Sequence, residues 1–364
     1  MSKIVSIGTA VPRYQHRQND ILDFMQRVYA PDEANRRKLK FLYRQGGIDT
    51  RYSVIPDYSC STEQWQFYPP TENLEPFPSL ELRMQWFQRY AAQLSLQAID
   101  DCMRNISTTA GEKKITHLLT VSCTGMSAPG LDLEIMELLS LPPTIHRSSV
   151  NFMGCYAAIH AMRMADAFCK ADPDACVLIV CTELCTLHFQ KEPSIDNITS
   201  SMLFADGAAA MLVTGDNEKE GLHIDHFYSK VAAKGKPDMA WQLSSSGFQM
   251  TLSGYVADLI EEDFNHLVQD ALSAAQLSQQ DITQWCIHPG GKKILEAVHQ
   301  SLGFTNGQLE NCYEVLKQYG NMSSATVVFV LKRIMQSIER AKQQRIFGAA
   351  FGPGLTMETF ILSA

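Results

Sequence analysis

The sequence lacks any apolar run long enough to cross a membrane. Its longest runs, such as ACVLIVC at 175–181, fall far short of the roughly 18 residues that a spanning helix needs. The N-terminus, MSKIVSIGTAVP, has one lysine and an apolar run broken at Gly8 and Pro12, which is too short for a secretion signal and is typical of a first strand. We therefore expect a soluble, cytoplasmic protein without membrane insertion.

The chain also lacks an excess of positive charge. It has 31 Lys+Arg against 39 Asp+Glu, a net charge of -8, so it has no general attraction to nucleic acid or to anionic membranes. An anionic ligand must be held by a local basic patch. A P-loop and a Gly-x-Gly-x-x-Gly stretch are both missing, which disfavours nucleotide chemistry of those kinds. We expect no nucleic-acid partner.

The ten cysteines lack the dense, regular spacing of a disulfide-rich secreted scaffold. Cys181 and Cys185, with His188 nearby, have no second pair at metal-ligand spacing, and we interpret them as core residues. The sequence thus predicts a reducing compartment, no metal and no permanently bound cofactor.

Short apolar runs that suit buried strands alternate with helical patterns along the whole chain, which predicts an α/β layered fold. The charged stretch GDNEKEG at 215–221 is the best candidate for a linker between two parts, 1–214 and 222–364. Five prolines within 53–80 predict an irregular excursion on the surface.

Cys155 lies in NFMGCYAAIH, between a glycine and a run of small residues. The following residues favour a helix that ends at the Asp-Pro-Asp turn, 172–174, so Cys155 falls near a helix N-terminus. There the free N–H groups and the macrodipole favour a thiolate, and we expect a lowered pKa and a nucleophilic role. The alternative is a small buried hydrophobic residue.

Two later segments offer partners for a nucleophilic cysteine. In WCIHPGG, His288 follows an apolar strand at a turn forced by proline and glycine. In YGNMSS, Asn321 precedes a long apolar helix. A thiolate nucleophile needs a base and a polarising donor, and these residues supply both types. The alternatives are a core histidine and a helix N-cap.

Together these segments resemble the chalcone and stilbene synthase family, the type III polyketide synthases, of bacterial type. The similar stretches occur in family order across nearly the whole chain: GTAVP at 8–12, CTGMSAPG at 123–130, MGCYAA at 153–158, LFADGAAAMLV at 203–213, HPGG at 288–291, YGNMSSAT at 319–326 and FGPGLTMET at 351–359. The resemblance implies a thiolase fold of five layers, αβαβα, built from two duplicated halves. It also implies a homodimer that uses acyl-CoA and malonyl-CoA as substrates.

The resemblance assigns roles to individual residues. Cys155 matches the nucleophile, His288 its partner and Asn321 the third catalytic residue. Phe204 matches the phenylalanine that gates the CoA tunnel. Gly352 and Gly354 match the glycine loop that shapes the wall of the site, where backbone approaches substrate closely.

Other positions depart from the plant pattern. The second gating phenylalanine falls on Met250, a small wall glycine on Trp241, and a pocket threonine on His188. The remaining residues that the resemblance places around the substrate are Cys123, Thr124, Glu183, Cys185 and Ser323. A methionine that crosses the plant dimer interface falls on Ala128. From Trp241, His188 and Ala128 we expect an aliphatic or fatty starter and an alkylpyrone or alkylresorcinol product.

The basic residues that hold CoA phosphate are matched in part. Lys38 matches one family lysine, and the other two positions fall on Phe41 and Gln45. Lys40 and Arg44 lie one residue away, and we predict that they complete the set.

Three alternatives remain open at this stage. A ketoacyl synthase of type III shares the fold and the Cys–His–Asn chemistry but performs one condensation with a carrier protein. A cysteine hydrolase shares the chain order of Cys155, His288 and Asn321 but has a Cys-Gly-[Ser/Ala]-Cys-[Trp/Tyr] signature that is missing here. The third is a non-catalytic partner of thiolase fold.

Overall fold

The computed structural model describes residues 2–29, 32–104, 106, 114–215, 220–305, 307–339 and 342–364. Within these residues the strands are β1 (Lys3–Ala10), β2 (Tyr14–Arg17), β3 (Thr50–Ser53), β4 (His117–Ser122), β5 (His146–Asn151), β6 (Cys176–Leu184), β7 (Asp206–Thr214), β8 (Leu222–Val231), β9 (Met239–Ser244), β10 (Gly247–Leu252), β11 (Gln284–Ile287), β12 (Arg345–Gly352) and β13 (Thr356–Ser363). The helices are α1 (Gln18–Tyr29), α2 (Glu33–Gln45), α3 (Leu80–Arg104), α4 (Leu131–Leu138), α5 (Ala157–Ala171), α6 (Ile195–Leu203), α7 (Tyr255–Ala274), α8 (Lys292–Ser301), α9 (Glu310–Tyr319) and α10 (Thr326–Ser337).

The apolar runs that predicted strands all form strands. Five further strands were not predicted from the sequence: β2, β3, β5, β9 and β10. β5, HRSSVN, is a polar strand at one edge of the main sheet, with most of its side chains exposed or half-buried. β9 and β10 form a separate antiparallel hairpin. Polar edge strands and small hairpins carry no continuous apolar run, so the pattern search missed them.

The main sheet has nine strands among the described residues, in the order β11-β12-β13-β8-β1-β7-β6-β4-β5. β1 pairs antiparallel with β7 from Lys3 to Ala10. Its pairing with β8 is limited to Lys3 and Ile4. This short contact joins the strands of the first part of the chain to those of the second.

Helices lie in three layers around the two groups of strands. α3 packs against β1, β6 and β7 from outside, and α7 packs against β8 with α8 beside it. α5 contacts β4, β5, β6 and β7 on one side and β13 on the other, and α10 contacts β1 and β7 as well as β11. The central helices are therefore covered on both faces. This is the predicted αβαβα order of the thiolase fold.

The predicted linker lies mostly outside the described residues, since 216–219 are not among them. The division into 1–214 and 222–364 stays a prediction. The predicted surface excursion at 53–80 is wrong in part. Ile55, Tyr58, Phe67 and Tyr68 are buried in the hydrophobic cluster beneath α1 and α3, because aromatic side chains between the prolines supply apolar area. In the described part of the chain, no helix is long and apolar enough to cross a membrane.

Candidate active site

Cys155 lies two residues before α5, as the sequence predicts, and α5 ends at Ala171 before Asp172. The turn that presents it is tightly constrained. Gly154 has a φ of +83°, and a Cβ there would lie 2.2 Å from Cδ of Pro353. The backbone N–H of Gly154 donates to Sγ of Cys123 at 3.0 Å. Glycine is thus required both by conformation and by the close approach of the loop at 352–354.

The predicted lowering of the Cys155 pKa is wrong. Burial raises the pKa of this thiol to about 12, although hydrogen bonds from the side chains of Ser323 and Asn321 act in the opposite direction. The side chain remains partly accessible, because it lines cavities inside the protein. A poorly solvated thiolate is costly, and this cost exceeds the benefit of the neighbouring helix terminus.

His288 directly follows β11, and its backbone N–H donates to the carbonyl of Ala349 at 2.8 Å. The imidazole is buried, and among the described residues neither Nδ1 nor Nε2 has a hydrogen-bond partner. Burial lowers its pKa to about 3. A buried ring with two unsatisfied nitrogens is unfavourable in isolation, so we infer that a substrate or a neighbouring thiol supplies the missing partner.

Asn321 has a fixed amide orientation. Its Oδ1 accepts hydrogen bonds from the backbone N–H of Ser323 at 2.8 Å and from Oγ1 of Thr326 at 3.4 Å. Its Nδ2 donates one hydrogen to the carbonyl of Gly290 at 3.1 Å. The second hydrogen of the amide bonds the Cys155 thiol. The alternative interpretation of Asn321 as the N-cap of the long apolar helix does not hold, because α10 begins five residues later, at Thr326.

The structure brings the three predicted catalytic residues together. Cys155, His288 and Asn321 line one cavity of about 1210 Å³. Cys155 lies at its inner part, and the cavity reaches the surface beside the exposed residues Gln45 and Ile195. The cavity therefore leads from solvent to the cysteine.

A smaller chamber of about 400 Å³ adjoins Cys155. It is lined by Cys123, Thr124, Gly154, Cys155, Cys185, Phe204, Met239, Trp241, Met250, Ser323, Gly352 and Pro353. Most of the substrate-binding residues that the resemblance assigns are in this group. Gly352 cannot carry a Cβ, which would lie 2.5 Å from the Tyr156 ring. Gly354 is outside the lining residues, and its φ of +74° is the reason for glycine there.

Phe204 lies at the junction of these spaces, since it lines both the large cavity and the chamber. Its backbone is held from two sides. Arg51 donates from a guanidinium nitrogen to the Phe204 carbonyl at 2.5 Å, and Phe204 forms an isolated parallel bridge with Asn321. Arg51 is buried, and its Nε donates to Oε1 of Gln18 at 2.9 Å. Sequence reasoning missed Arg51, whose only signal was a charged residue inside an apolar stretch.

Trp241 lines the chamber, whereas His188 is outside its lining and faces the third cavity, which is described below. The Trp241 indole N–H donates to the Cys123 carbonyl at 2.7 Å. His188 bonds the Thr124 carbonyl through Nε2 at 2.7 Å and accepts from the Phe248 N–H through Nδ1 at 3.1 Å. Both its nitrogens are occupied, and burial lowers its pKa to about 3, so it is a neutral wall residue. The Phe248 ring, which the sequence did not reveal, stacks on it at 4.2 Å.

A third cavity, of about 580 Å³, lies beyond these rings. It shares Cys185, Phe204, Trp241 and Met250 with the chamber. Its other walls include the apolar side chains Ile21, Met25, Phe189 and Phe248. We call this third cavity the side cavity. The four side chains that line both it and the chamber lie between it and Cys155.

The resemblance places both Glu183 and Ser323 around the substrate, but the hydrogen bonds of Glu183 go to other residues. Its carboxylate accepts from Oγ1 of Thr124 at 2.8 Å, from the Cys123 N–H at 2.9 Å and from Oγ of Ser324 at 2.5 Å. Burial raises its pKa. Ser324, rather than Ser323, therefore completes the network, and the Ser323 side chain faces Cys155. Glu183 is outside the chamber lining and fixes the strand ends behind it.

The predicted CoA-binding residues lie on α2 at the opening of the large cavity. At 3.6 residues per turn, Lys38 shares a face with Leu42 and Gln45, which line the cavity. Lys40 and Arg44 are exposed on other faces. Two cations that the sequence analysis left unassigned, Lys292 and Lys293, line the cavity at the start of α8.

Comparisons with known proteins agree with this architecture. Residues 1–217 match the family model of the N-terminal domain of chalcone and stilbene synthases, and residues 228–364 match that of their C-terminal domain. The fold and the matches define an acyl-transferring condensing enzyme. The chain belongs to the chalcone and stilbene synthase family, the type III polyketide synthases, which use acyl-CoA and malonyl-CoA.

The relatives come from several kingdoms. The chain is 29% identical to a putative chalcone synthase of Bacillus subtilis, covering 100% of this chain and 99% of the relative. It is 29% identical to an alpha-pyrone synthesis polyketide synthase-like protein, Pks18, of Mycobacterium tuberculosis, covering 98% and 89%. It is also 30% identical to a probable polyketide synthase 1 of Dictyostelium discoideum, covering 98% of this chain but 11% of that much longer protein.

A solved structure shows the same fold along its whole length. The C-terminal type III polyketide synthase domain of Steely1, a type I/III hybrid from Dictyostelium, aligns with a TM-score of 0.90 and 28% identity, covering 99% of this chain and 98% of that domain.

Proposed function

We propose that this protein loads an acyl group from a CoA thioester onto Cys155 and extends it with malonyl-CoA. The observation that carries the proposal is that Cys155, His288 and Asn321 line one cavity that opens to the surface. A thiol nucleophile, a proton acceptor and an amide donor are the groups that this chemistry needs.

The loading step starts from a neutral pair. Burial opposes charge on Cys155 and on His288 taken singly, so proton transfer from sulfur to imidazole charges both together, and each charge then stabilises the other. The thiolate attacks the thioester carbonyl, the C–S bond to CoA breaks, and the imidazolium returns the proton to the departing CoA thiolate. The products are an acyl-Cys155 thioester and free CoA.

The extension step needs hydrogen-bond donors for a developing enolate. The second hydrogen of Asn321 Nδ2, which bonds the Cys155 thiol before loading, and a ring N–H of His288 can donate to the thioester oxygen of malonyl-CoA once the sulfur is acylated. Loss of CO₂ leaves a carbanion whose charge these donors stabilise. The carbanion attacks the acyl carbonyl on Cys155, forms a carbon–carbon bond and releases the thiolate for the next cycle.

For the starter we propose an aliphatic or fatty acyl group, with an alkylpyrone or alkylresorcinol product. Two features support this. The chamber beside Cys155 is small and has Trp241 as a wall, which disfavours a bulky aromatic ring. The side cavity beyond it has mostly apolar walls, which suit an alkyl chain. The name of the mycobacterial relative, which refers to alpha-pyrone synthesis, agrees with such a product.

For CoA phosphate we propose Lys38, supported by its position on the cavity face of α2, with Lys40 and Arg44 as further candidates. Lys38→Glu replaces a phosphate contact by a repulsion, and we expect a rise of about tenfold in the KM for malonyl-CoA. Lys40→Glu and Arg44→Glu are the matched variants. An unchanged KM in Lys38→Glu would reject this assignment.

We further propose that the enzyme is a homodimer with no permanently bound cofactor. Family resemblance supports the dimer. Ala128, on which the interface methionine of the plant enzymes falls, is exposed and lines none of the three cavities described above, so these cavities add no support for its part in the choice of starter.

The test is mass spectrometry of products from the purified protein, malonyl-CoA and acyl-CoA starters from acetyl to long-chain, with Cys155→Ala as control. We expect products that depend on Cys155 and that are most abundant with aliphatic starters. If CoA esters give no product but carrier-bound malonate supports one condensation, the protein is instead a ketoacyl synthase of type III. Products from aromatic starters alone would reject the aliphatic assignment.

A further inference from the structure

The opening of the cavity that leads to Cys155 combines positive charge with exposed apolar side chains. α2 has five basic residues and one acidic residue, in a chain whose net charge is -8. Three large hydrophobic residues at or beside this opening are strongly exposed: Phe41 at 63%, Ile195 at 61% and Tyr255 at 48%. Ile195 itself lines the cavity, and Tyr255 follows Gly254, which also lines it.

The basic side chains of α2 lie on different faces of the helix. Leu39 and Tyr43 are the buried residues of the helix. The face of Lys38 lines the cavity and serves a ligand inside it. Arg37, Phe41 and Arg44, at positions i, i+4 and i+7, share a different face that is exposed to solvent. Arg37 also donates from Nε to Glu33 at 3.4 Å on this face, an exposed pair that a carboxylate of a partner can replace at little cost. We call these three residues the outer face of α2.

Arg44 is also a candidate for CoA phosphate, but a free CoA ester does not account for Arg37 and Phe41. Cations closer to the cavity are available for its phosphates, since Lys292 and Lys293 line the cavity and Lys38 lies on the adjoining face of α2. The aromatic ring of Phe41 has no contact to offer a phosphate. An exposed aromatic residue flanked by arginines is typical of a protein interface, where arginine and aromatic residues are enriched.

We propose that the outer face of α2 docks an acidic acyl carrier protein whose phosphopantetheine arm enters the cavity and delivers the acyl group to Cys155. This inference rests on the proposed condensing function. Arg37 and Arg44 pair with carboxylates on a helix of the carrier, and Phe41 packs against an apolar side chain there. The chemistry of transfer is unchanged: the acyl thioester of the carrier arm exchanges with the Cys155 thiol, and the arm leaves as a free thiol.

The position of the patch favours a carrier protein over a lipid surface. It lies beside the opening through which a thioester reaches Cys155, and a carrier supplies a thioester on a flexible arm. A bilayer supplies anionic charge and apolar depth but no thioester. Membrane binding is therefore the competing result of the test.

The experiment compares three donors of one dodecanoyl group: the CoA ester, the phosphopantetheine ester, and an acidic bacterial acyl carrier protein loaded with the same arm. The variant is Arg37→Glu with Phe41→Ser, both at exposed positions. Arg89→Glu, an exposed change of equal charge on α3, is the control. We expect the wild-type protein to use the carrier at a lower KM than the phosphopantetheine ester. In the variant, the KM for the carrier rises at least tenfold, while the KM values of the two small esters stay within twofold.

Other results overturn the docking inference. An equal loss with the CoA ester and the carrier would make the outer face a phosphate site. No loss with either donor, or a wild-type protein that does not use the carrier, would make it an ordinary solvated surface. Co-sedimentation of the wild-type protein with anionic vesicles, lost in the variant without any effect on the carrier reaction, would assign the face to a membrane. Absence of Cys155-dependent product with all three donors contradicts the condensing function itself.

Discussion

Met250 lies directly opposite Trp241 in the β9–β10 hairpin, and both side chains line the chamber of Cys155. Residues directly opposite one another in an antiparallel pair project from the same face. The hairpin therefore presents two large side chains to the site as one unit. Since both also line the side cavity, this pair decides how much of that cavity an acyl chain can use.

Trp241→Gly removes the indole that lies between the chamber and the side cavity. We expect longer chains or a changed ring closure, because the chamber then joins the apolar space beyond it. The measurement is the product profile by mass spectrometry with a series of starters. Gln242→Gly, at the exposed neighbouring position, is the control for the loss of a strand residue. The same products in both variants would show that Trp241 does not limit the chain.

His288→Ala leaves Cys155 without a proton acceptor. Because the thiol pKa is raised to about 12, chiefly by burial, we expect the variant to react with iodoacetamide appreciably only above about pH 10, where a thiolate begins to form. The wild-type thiol reacts faster at about pH 7 to 8, since His288 accepts its proton. The measurement is the rate of modification of Cys155, located by mass spectrometry, from about pH 6 to about pH 11.5. Superimposable profiles would contradict the pairing.

The sequence singled out the three residues that line one cavity because each sits at a local structural signal. Cys155 precedes a helix of small residues, His288 ends a strand at a proline turn, and Asn321 follows Gly320, which has a φ of +69°. Arg51 and Phe248 could not be predicted in the same way. Their roles arise from contacts with Phe204 and His188, which are more than 50 residues away along the chain, and spacing does not reveal such contacts.

The direction of the shift in the pKa of Cys155 could not be predicted from the sequence either. A helix terminus is visible as a pattern, but the loss of water around the sulfur depends on the walls of the cavity. These walls come from distant segments, including Ser323 and the loop at 352–354. Local position therefore singled out Cys155 as the candidate nucleophile, whereas packing determines the pKa of its thiol.

Gly154→Ala tests the turn that presents Cys155. The added Cβ would lie 2.2 Å from Pro353, at a φ of +83°. We expect a loss of roughly 2 to 4 kcal/mol in the free energy of unfolding, from backbone strain and overpacking, together with a large loss of activity. Gly254→Ala is the control, since a Cβ there meets nothing within 4 Å. Denaturant unfolding measures both, and equal stability of the two variants would contradict the constraint.

We predict that the folded protein loses stability in acid because His16 is buried. Its ring bonds the Ile55 carbonyl and Oγ of Ser59, and burial lowers its pKa from 6.5 to about 4. Below pH 6.5 the unfolded chain binds a proton that the folded chain does not, so stability falls as the pH falls through this range. The expected contribution is about 2 kcal/mol between pH 7.5 and 5. Denaturant unfolding of His16→Gln should show a shallower slope with pH; an identical slope would exclude His16.

The central place of β1 has a consequence for the synthesis of this protein. β1 pairs with residues 208–214 and 222–223, which are synthesised long after it. It therefore waits for about two hundred residues before either neighbour exists, and its contacts are among the most distant in sequence that the chain makes. Contacts of this kind slow folding. We expect the apolar strand KIVSIGTA to stay unpaired until β7 and β8 have been synthesised. Chaperones that bind unpaired strands would therefore assist the folding of the growing chain.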